Sequence, residues 1–292
     1  PTMAAHPGGA PANFLAAIAQ FGGKAALLGK VGTDTFGKLL TGTLRKAGIE
    51  TKGIVASDDV FTTLAFVTLD ENGDREFAFA RKPGADTQLR FEELDLSILD
   101  ETRVFHFGTL SLTDEPARGT TYRAVEYAKA HGKLVTFDPN LRRPLWKSLD
   151  DAKEQMEYGF QKCDVLKISD NEIQFVSGME DYDDGIHYLQ EKYQIPLIFL
   201  TMGKEGSRAY YKDMRIEQPG FTVKAIETTG AGDTFCGCAI NGVLTYGLDN
   251  LDEEKLKEIL TYANAGAALI TMKKGAIRSM PEPENIKELI GK

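Results

Sequence analysis

The sequence predicts a three-layer α/β/α fold: a mostly parallel central sheet covered by helices on both faces, with a small β element standing off it. Three observations carry this expectation. Short apolar runs of strand type, Val104-Phe105-His106-Phe107, Leu134-Val135-Thr136-Phe137, Val165-Leu166-Lys167-Ile168 and Leu197-Ile198-Phe199-Leu200, alternate with stretches of helical period. Repeated β-then-α order of this kind calls for a parallel sheet with both faces covered. One segment breaks the rhythm: residues 62–69 and 75–81 are alternating runs joined by Asp70-Glu71-Asn72-Gly73-Asp74, and Asn-Gly between such runs is a strong hairpin signal. The composition is that of an ordinary globular chain, 292 residues with 42% apolar and 26% charged, long enough to bury a core without a disulfide or metal. We read a single domain over residues 1–292, with a hairpin lying at about residues 55–85.

In chain order, Gly8-Gly9-Ala10-Pro11-Ala12-Asn13 leads into a helix over residues 14–21, and Ala25-Ala26-Leu27-Leu28-Gly29 reads as a strand. Gly32-Thr33-Asp34-Thr35-Phe36-Gly37-Lys38-Leu39 has the spacing of a phosphate loop as far as the lysine. Leu39 stands where that loop needs a hydroxyl, so a turn into a helix with Thr33 or Asp34 as cap explains it better. The hairpin would stand off the main sheet, either as a flap over a site or as an edge decoration. A helix is expected over residues 118–130, an apolar strand over residues 221–226, and a small-residue helix over residues 236–244.

Charge and composition exclude several function classes. There are 34 basic and 43 acidic side chains, a formal charge of −9, which argues against a general nucleic-acid or anionic-membrane binder. No apolar run is long enough to span a membrane. Cys163, Cys236 and Cys238 are too few and too poorly spaced for a disulfide framework, and the four histidines form no metal-binding pair. The cysteines read as small buried hydrophobes in a reducing cytoplasm. The sequence opens at Pro1, without an initiator Met, so an upstream segment is expected.

Two stretches could carry chemistry. In Glu227-Thr228-Thr229-Gly230-Ala231-Gly232-Asp233-Thr234-Phe235, small residues at a strand-to-helix turn would bring free backbone N–H groups close to a ligand. The helix N-terminus adds partial positive charge, which suits an anion and most simply a phosphate. Asp233 could take a proton from a hydroxyl attacking phosphorus, or it could be only a helix cap. In Gly8-Gly9-Ala10-Pro11-Ala12-Asn13 the paired glycines admit a ligand and Asn13 offers a donor and an acceptor; a plain loop and helix start is the alternative. Gly230-x-Gly232 is followed by Phe235 rather than by glycine, which disfavours a nicotinamide-dependent dehydrogenase.

With these motifs, and with Phe79-Ala80-Arg81-Lys82-Pro83-Gly84-Ala85-Asp86, Phe105-His106-Phe107-Gly108, Asp138-Pro139-Asn140-Leu141-Arg142 and Lys273-Lys274-Gly275-Ala276 in this order, the chain resembles the ribokinase-like (PfkB) sugar kinases, and among them bacterial fructokinases. The resemblance implies the ribokinase-like fold with a β lid, and ATP- and Mg²⁺-dependent phosphorylation of a sugar hydroxyl, fructose giving fructose 6-phosphate. It implies Asp233 as catalytic base and Gly230, Ala231 and Gly232 as an anion hole. Gly8, Gly9, Asn13, Arg81 and Arg142 match sugar-side positions, and Lys167, Thr201, Gly203, Gly206 and Asn264 match nucleotide-side positions. Glu172, in Ser169-Asp170-Asn171-Glu172, matches a residue that helps hold Mg²⁺ through water. Glu227 stands where an Asp of a monovalent-cation site is usual, so K⁺ activation is left open. Relatives begin with a strand and a sugar-binding Asp that nothing before Pro1 supplies here. Ala10 replaces the lysine of ribokinases proper. Kinases acting on 2-keto-3-deoxygluconate, ribose or a nucleoside are alternatives, a non-catalytic sugar-binding regulator is another, and the hairpin could pair two copies into a homodimer.

Overall fold

The computed structural model describes residues 4–69 and 75–291. The chain opens with helix α1 (Ala10–Gln20), then strands β1 (Ala25–Ala26) and β2 (Gly29–Gly32), helix α2 (Thr35–Lys46), and strands β3 (Ile49–Glu50) and β4 (Ile54–Ser57). The hairpin strands β5 (Leu64–Leu69) and β6 (Arg75–Ala80) follow, then α3 (Leu96–Glu101). The main body is β7 (Val104–Gly108), α4 (Ala117–Ala130), β8 (Leu134–Asp138), α5 (Leu149–Lys162), β9 (Val165–Ser169), α6 (Asp170–Ser177), α7 (Tyr182–Tyr193) and β10 (Leu197–Thr201). It closes with β11 (Gly206–Tyr211), β12 (Met214–Pro219), α8 (Ala231–Tyr246), α9 (Glu253–Ile270) and α10 (Pro283–Ile290).

The central sheet has the order β12-β11-β10-β9-β8-β7. Strands β7 to β10 are parallel, and β11 and β12 add an antiparallel ribbon at one edge. Side chains of β9 and β10 alternate between two cores. Leu166, Ile168, Ile198 and Leu200 pack with α4, α5, α6 and α7; Val165, Leu197 and Phe199 pack with α1, α8 and α9. A sheet covered on both faces explains why these strands read as unbroken apolar runs. By the same alternation Lys167, the charged residue inside the β9 run, falls on the α8 face.

Four boundaries differ from the sequence reading. Residues 25–29 form β1 and β2 rather than one strand; Leu27 N bonds Glu50 O and Gly29 N bonds Gly53 O, so the ladder continues across a kink. Helix α1 starts at Ala10, because Pro11 sits in its first turn, where a missing N–H leaves nothing unpaired. Residues 221–226 make no strand. The N–H groups of Ile226 and Glu227 both donate to Thr271 O at the end of α9, and Ile226 is 59% exposed, so the alternating pattern has no sheet edge to join. Helix α8 therefore begins at Ala231, earlier than expected, which places Asp233 inside its first turn.

The hairpin pairs antiparallel as a separate two-stranded sheet, Leu64 opposite Ala80 and Leu69 opposite Arg75. Its Asn72-Gly73 turn lies outside the described residues. The outer edge of β7 faces a cleft of about 1340 Å³ whose far wall includes Ala25, Leu27 and Leu28. Among the described residues no helix is long and apolar enough to cross a membrane, and Cys163, Cys236 and Cys238 are free and buried.

Candidate active site

Ligand sites in sheets of this kind lie beyond the carboxyl ends of the parallel strands, and the charged residues gather there. Strand β8 ends in Asp138; β9 carries Lys167 and ends in Ser169, which caps α6 in a reciprocal box with Glu172. Helix α8 enters the same space with Gly230 at its N-cap, at φ 83°, a conformation that suits glycine. Asp233 is the third residue of α8 and caps nothing. Its Oδ2 instead accepts from Asn13 Nδ2 of α1 at 2.8 Å, and Asn140 Nδ2 approaches Oδ1 at 3.5 Å. The capping alternative is thereby set aside. Asn13 is 2% exposed, and its own Oδ1 has no partner among the described residues. A buried acceptor left open in this way suits a ligand hydroxyl.

The Lys167 ammonium stands 3.2 Å from both oxygens of Asp138. It also underlies the glycine turn: a Cβ on Gly232 would sit 3.2 Å from Lys167 Nζ. The first-turn N–H groups of a helix have no intrahelical partner and carry its positive end. Cation and helix start thus converge on one spot, a fit for a phosphoryl group. Burial pushes the Asp138 carboxyl up to about 7, with Lys167 opposing and Glu172 and Asp233 adding to the rise. Burial also raises Asp233, against the Asn13 hydrogen bond and the charges of Lys167 and Arg142. For Lys167 burial acts downward, but Asp138 and Glu172 outweigh it and hold the ammonium above its ordinary value. His106 stacks on Phe14 at 3.9 Å and is pushed down to about 3 by burial and then by Lys167, so it stays neutral.

The other expected residues are placed as follows. Gly8 and Gly9 are exposed before α1; Gly9, at φ 125°, is its N-cap. Arg142 lies close enough to Asp233 to act on its charge. Arg81 faces the protein: Nε bonds Asp86, one terminal nitrogen bonds Thr113 Oγ1 at 2.7 Å and the other Leu110 O at 2.8 Å. It ties the root of the hairpin to the loop after β7. Thr201 ends β10 with Oγ1 toward Ile168 O, and Gly203 and Gly206, both at positive φ, shape the turn into β11. The Asn264 side chain is fully engaged, accepting from Ser207 Oγ and donating to Gln218 O and Pro219 O, so it fastens α9 to the β11–β12 ribbon. Glu172 accepts from Leu141 N through Oε1 and from Ser169 N and Oγ through Oε2. Glu227 accepts from Thr229 Oγ1 and Gly275 N. Among the described residues no three His, Cys, Asp or Glu are grouped to hold a metal. The sequence reading gave Asp138 and Asn140 no role; the signal available was their position at the end of a parallel strand and in the loop directly after it.

Comparison with known proteins shows the family. The model of the pfkB family of carbohydrate kinases matches residues 1–283. Fructokinase-1 of Zea mays is 39% identical over 292 residues, covering 100% of this chain and 90% of that protein. The structure of fructokinase from Xylella fastidiosa with bound ATP superposes with a TM-score of 0.90 at 31% identity, over 97% of this chain and 90% of that one. Fructokinase from Vibrio cholerae O395, with fructose, ADP and calcium bound, does so with a TM-score of 0.90 at 30% identity, over 98% and 92%. The maize protein is thus nearer in sequence than either bacterial structure. The chain belongs to the pfkB family of carbohydrate kinases.

Proposed function

We propose that this chain is an ATP-dependent fructokinase that makes fructose 6-phosphate. The observation that carries the reading is Asp233, presented by Asn13 in the first turn of α8 beside the Lys167 ammonium. A sugar hydroxyl oxygen forms a bond to the γ-phosphorus of ATP as the bond from that phosphorus to the β,γ-bridging oxygen breaks. The hydroxyl proton goes to the Asp233 carboxylate and ADP leaves. Gly230, Ala231 and Gly232 offer backbone N–H groups to the transferring phosphoryl, and Lys167 adds its charge. Asn13 Oδ1, with Gly8 and Gly9, receives the acceptor, and Arg142 lies on the same side.

Mg²⁺ neutralises the phosphate oxygens of ATP when bound. The carboxylates fit a metal that arrives with the nucleotide and keeps its water, since both Glu172 oxygens already accept protein hydrogen bonds. Thr201, Gly203 and Gly206 shape the nucleotide side, with Asn264 acting through the fold. Glu227 is the candidate for a K⁺ site; its carboxylate holds the turn before α8 to residue 275. We assign the whole chain to one domain, the hairpin to a lid anchored by Arg81 and a homodimer contact, and the compartment to the cytoplasm. ADP release from MgATP, with fructose, ribose, 2-keto-3-deoxygluconate, adenosine or no sugar, tests the function. Turnover dominated by fructose supports it; turnover on another member replaces the acceptor and keeps Asp233.

A further inference from the structure

Asp138 is 4% exposed at the end of β8, and no role above belongs to it. Its surroundings point to one. Two other carboxylates share the field of Lys167, Glu172 and Asp233, yet neither contacts the ammonium. Glu172 is engaged by Leu141 and Ser169, and Asp233 by Asn13 and Asn140. Among the described carboxylates, Asp138 alone touches Lys167 Nζ, through both oxygens. A lysine is a point charge on a flexible four-carbon stem. Without Asp138 the ammonium is left to Glu172 and Asp233, the two other carboxylates that act on it, and a cation drawn onto Asp233 would lower the basicity of that group.

We propose that Asp138 is a positioning residue for phosphoryl transfer: its carboxylate fixes the Lys167 ammonium beneath the first turn of α8 and keeps it off Asp233. This rests on the reading of Lys167 and Asp233 given above. Loss of Asp138 then does two kinds of harm, because the phosphoryl site loses its cation and the base loses proton affinity. Loss of Lys167 does only the first. Once Lys167 is gone, Asp138 has nothing left to position.

The test is a double-mutant cycle on the full chain, with kcat and KM for fructose at saturating MgATP for wild type, Asp138→Asn, Lys167→Met and the double variant. Asp138→Asn should lower kcat by about 100-fold with the KM for fructose held within about threefold. Lys167→Met should lose less than Asp138→Asn, and the double variant should match Lys167→Met. Losses that multiply in the double variant, or an Asp138→Asn enzyme within about threefold of wild-type kcat, would overturn the proposal. Should Asp138→Asn fail to fold, the double variant removes both charges and leaves no uncompensated ion; its kcat should equal that of Lys167→Met, and a further tenfold loss (about 1.4 kcal/mol) counts against us. MgATP affinity by calorimetry needs no sugar, so it separates a wrong acceptor from a wrong role. There the two substitutions should weaken binding non-additively even if fructose gives no turnover, and additive weakening overturns the proposal.

Discussion

The tripeptide Asp-Thr-Phe occurs at the start of two helices, Asp34-Thr35-Phe36 at α2 and Asp233-Thr234-Phe235 at α8. Asp34 is the N-cap of α2. Its Oδ1 accepts from the N–H of Phe36 and of Gly37, and its Oδ2 from Thr62 N. Asp233 lies three residues inside α8, whose cap is Gly230, and its carboxylate meets side chains from α1 and from the loop after β8. The phenylalanines diverge too: Phe36 is 36% exposed, whereas Phe235 is 2% exposed and packs edge-on to Phe199. The same three residues make a fastener in one place and, in the other, present the carboxylate we propose as the base. The difference is the offset from the helix start, set by an N-cap glycine at positive φ. A capping carboxylate has its lone pairs filled locally; one at the third position faces whatever the fold brings.

The largest effect is expected from neutralising the α8 carboxylate. Asp233→Asn should lower turnover by about 10²–10⁴-fold while MgATP binding stays near wild type. Its stability should not fall. The Asp233 carboxyl is raised above its ordinary value of 3.8, burial being the main cause, so between 3.8 and the raised value the folded form holds more protons and stability declines as pH rises. Asp233→Asn is therefore expected to melt at or above the wild-type temperature at pH 7, the gap closing toward pH 3.8. A mutant that keeps most of its turnover would remove Asp233 from the base role. For the wild type, the acid limb of kcat/KM should fall as pH drops through that raised value, since the base acts only when ionised.

A smaller effect is expected at Asn13. Asn13→Ala removes the one short side-chain bond to Asp233, and with it the open Oδ1. Hydrogen bonds to charged groups contribute about 1.5–3 kcal/mol, or roughly tenfold to a hundredfold in kcat/KM. Stability should change little, because the same substitution deletes a buried acceptor that lacks a partner. Steady-state rates beside thermal melts check both halves, and an unchanged kcat/KM would mean that Asp233 is held without Asn13.

Much of the fold was legible because β7 to β10 are covered on both faces and therefore read as continuous apolar runs. The hairpin was legible because alternating runs flank an Asn-Gly pair. What failed shares one cause, dependence on a partner distant in sequence. Residues 221–226 alternate like a strand but find Thr271 instead of a sheet edge. Asp233 was legible as a carboxylate in a glycine turn; its orientation was not, since Asn13 lies 220 positions away. The Asp138–Lys167 pair was within reach, because a lone lysine in a run buried on both faces needs a counter-charge, and parity sends it toward α8.

The mildest change lies on the other side of the comparison. Asp34→Ala should leave turnover within about twofold and cost about 1–2 kcal/mol of stability, the usual range for a lost cap, with Thr62 N also deprived of its acceptor. Its pH dependence should run opposite to that of Asp233. Burial alone would raise the Asp34 carboxyl, but the N–H groups of Thr62, Gly37 and Phe36 outweigh it and hold the group below its ordinary value of 3.8. A depressed carboxyl contributes stability that is present above 3.8 and lost as pH falls through the folded value. The gap between wild type and Asp34→Ala, measured by denaturant midpoints, should therefore be full at pH 7 and shrink in acid. If it instead widened in acid, or if turnover collapsed at neutral pH, the two Asp-Thr-Phe turns would not be divided into fastener and base, and the offset from the helix start would not be what separates them.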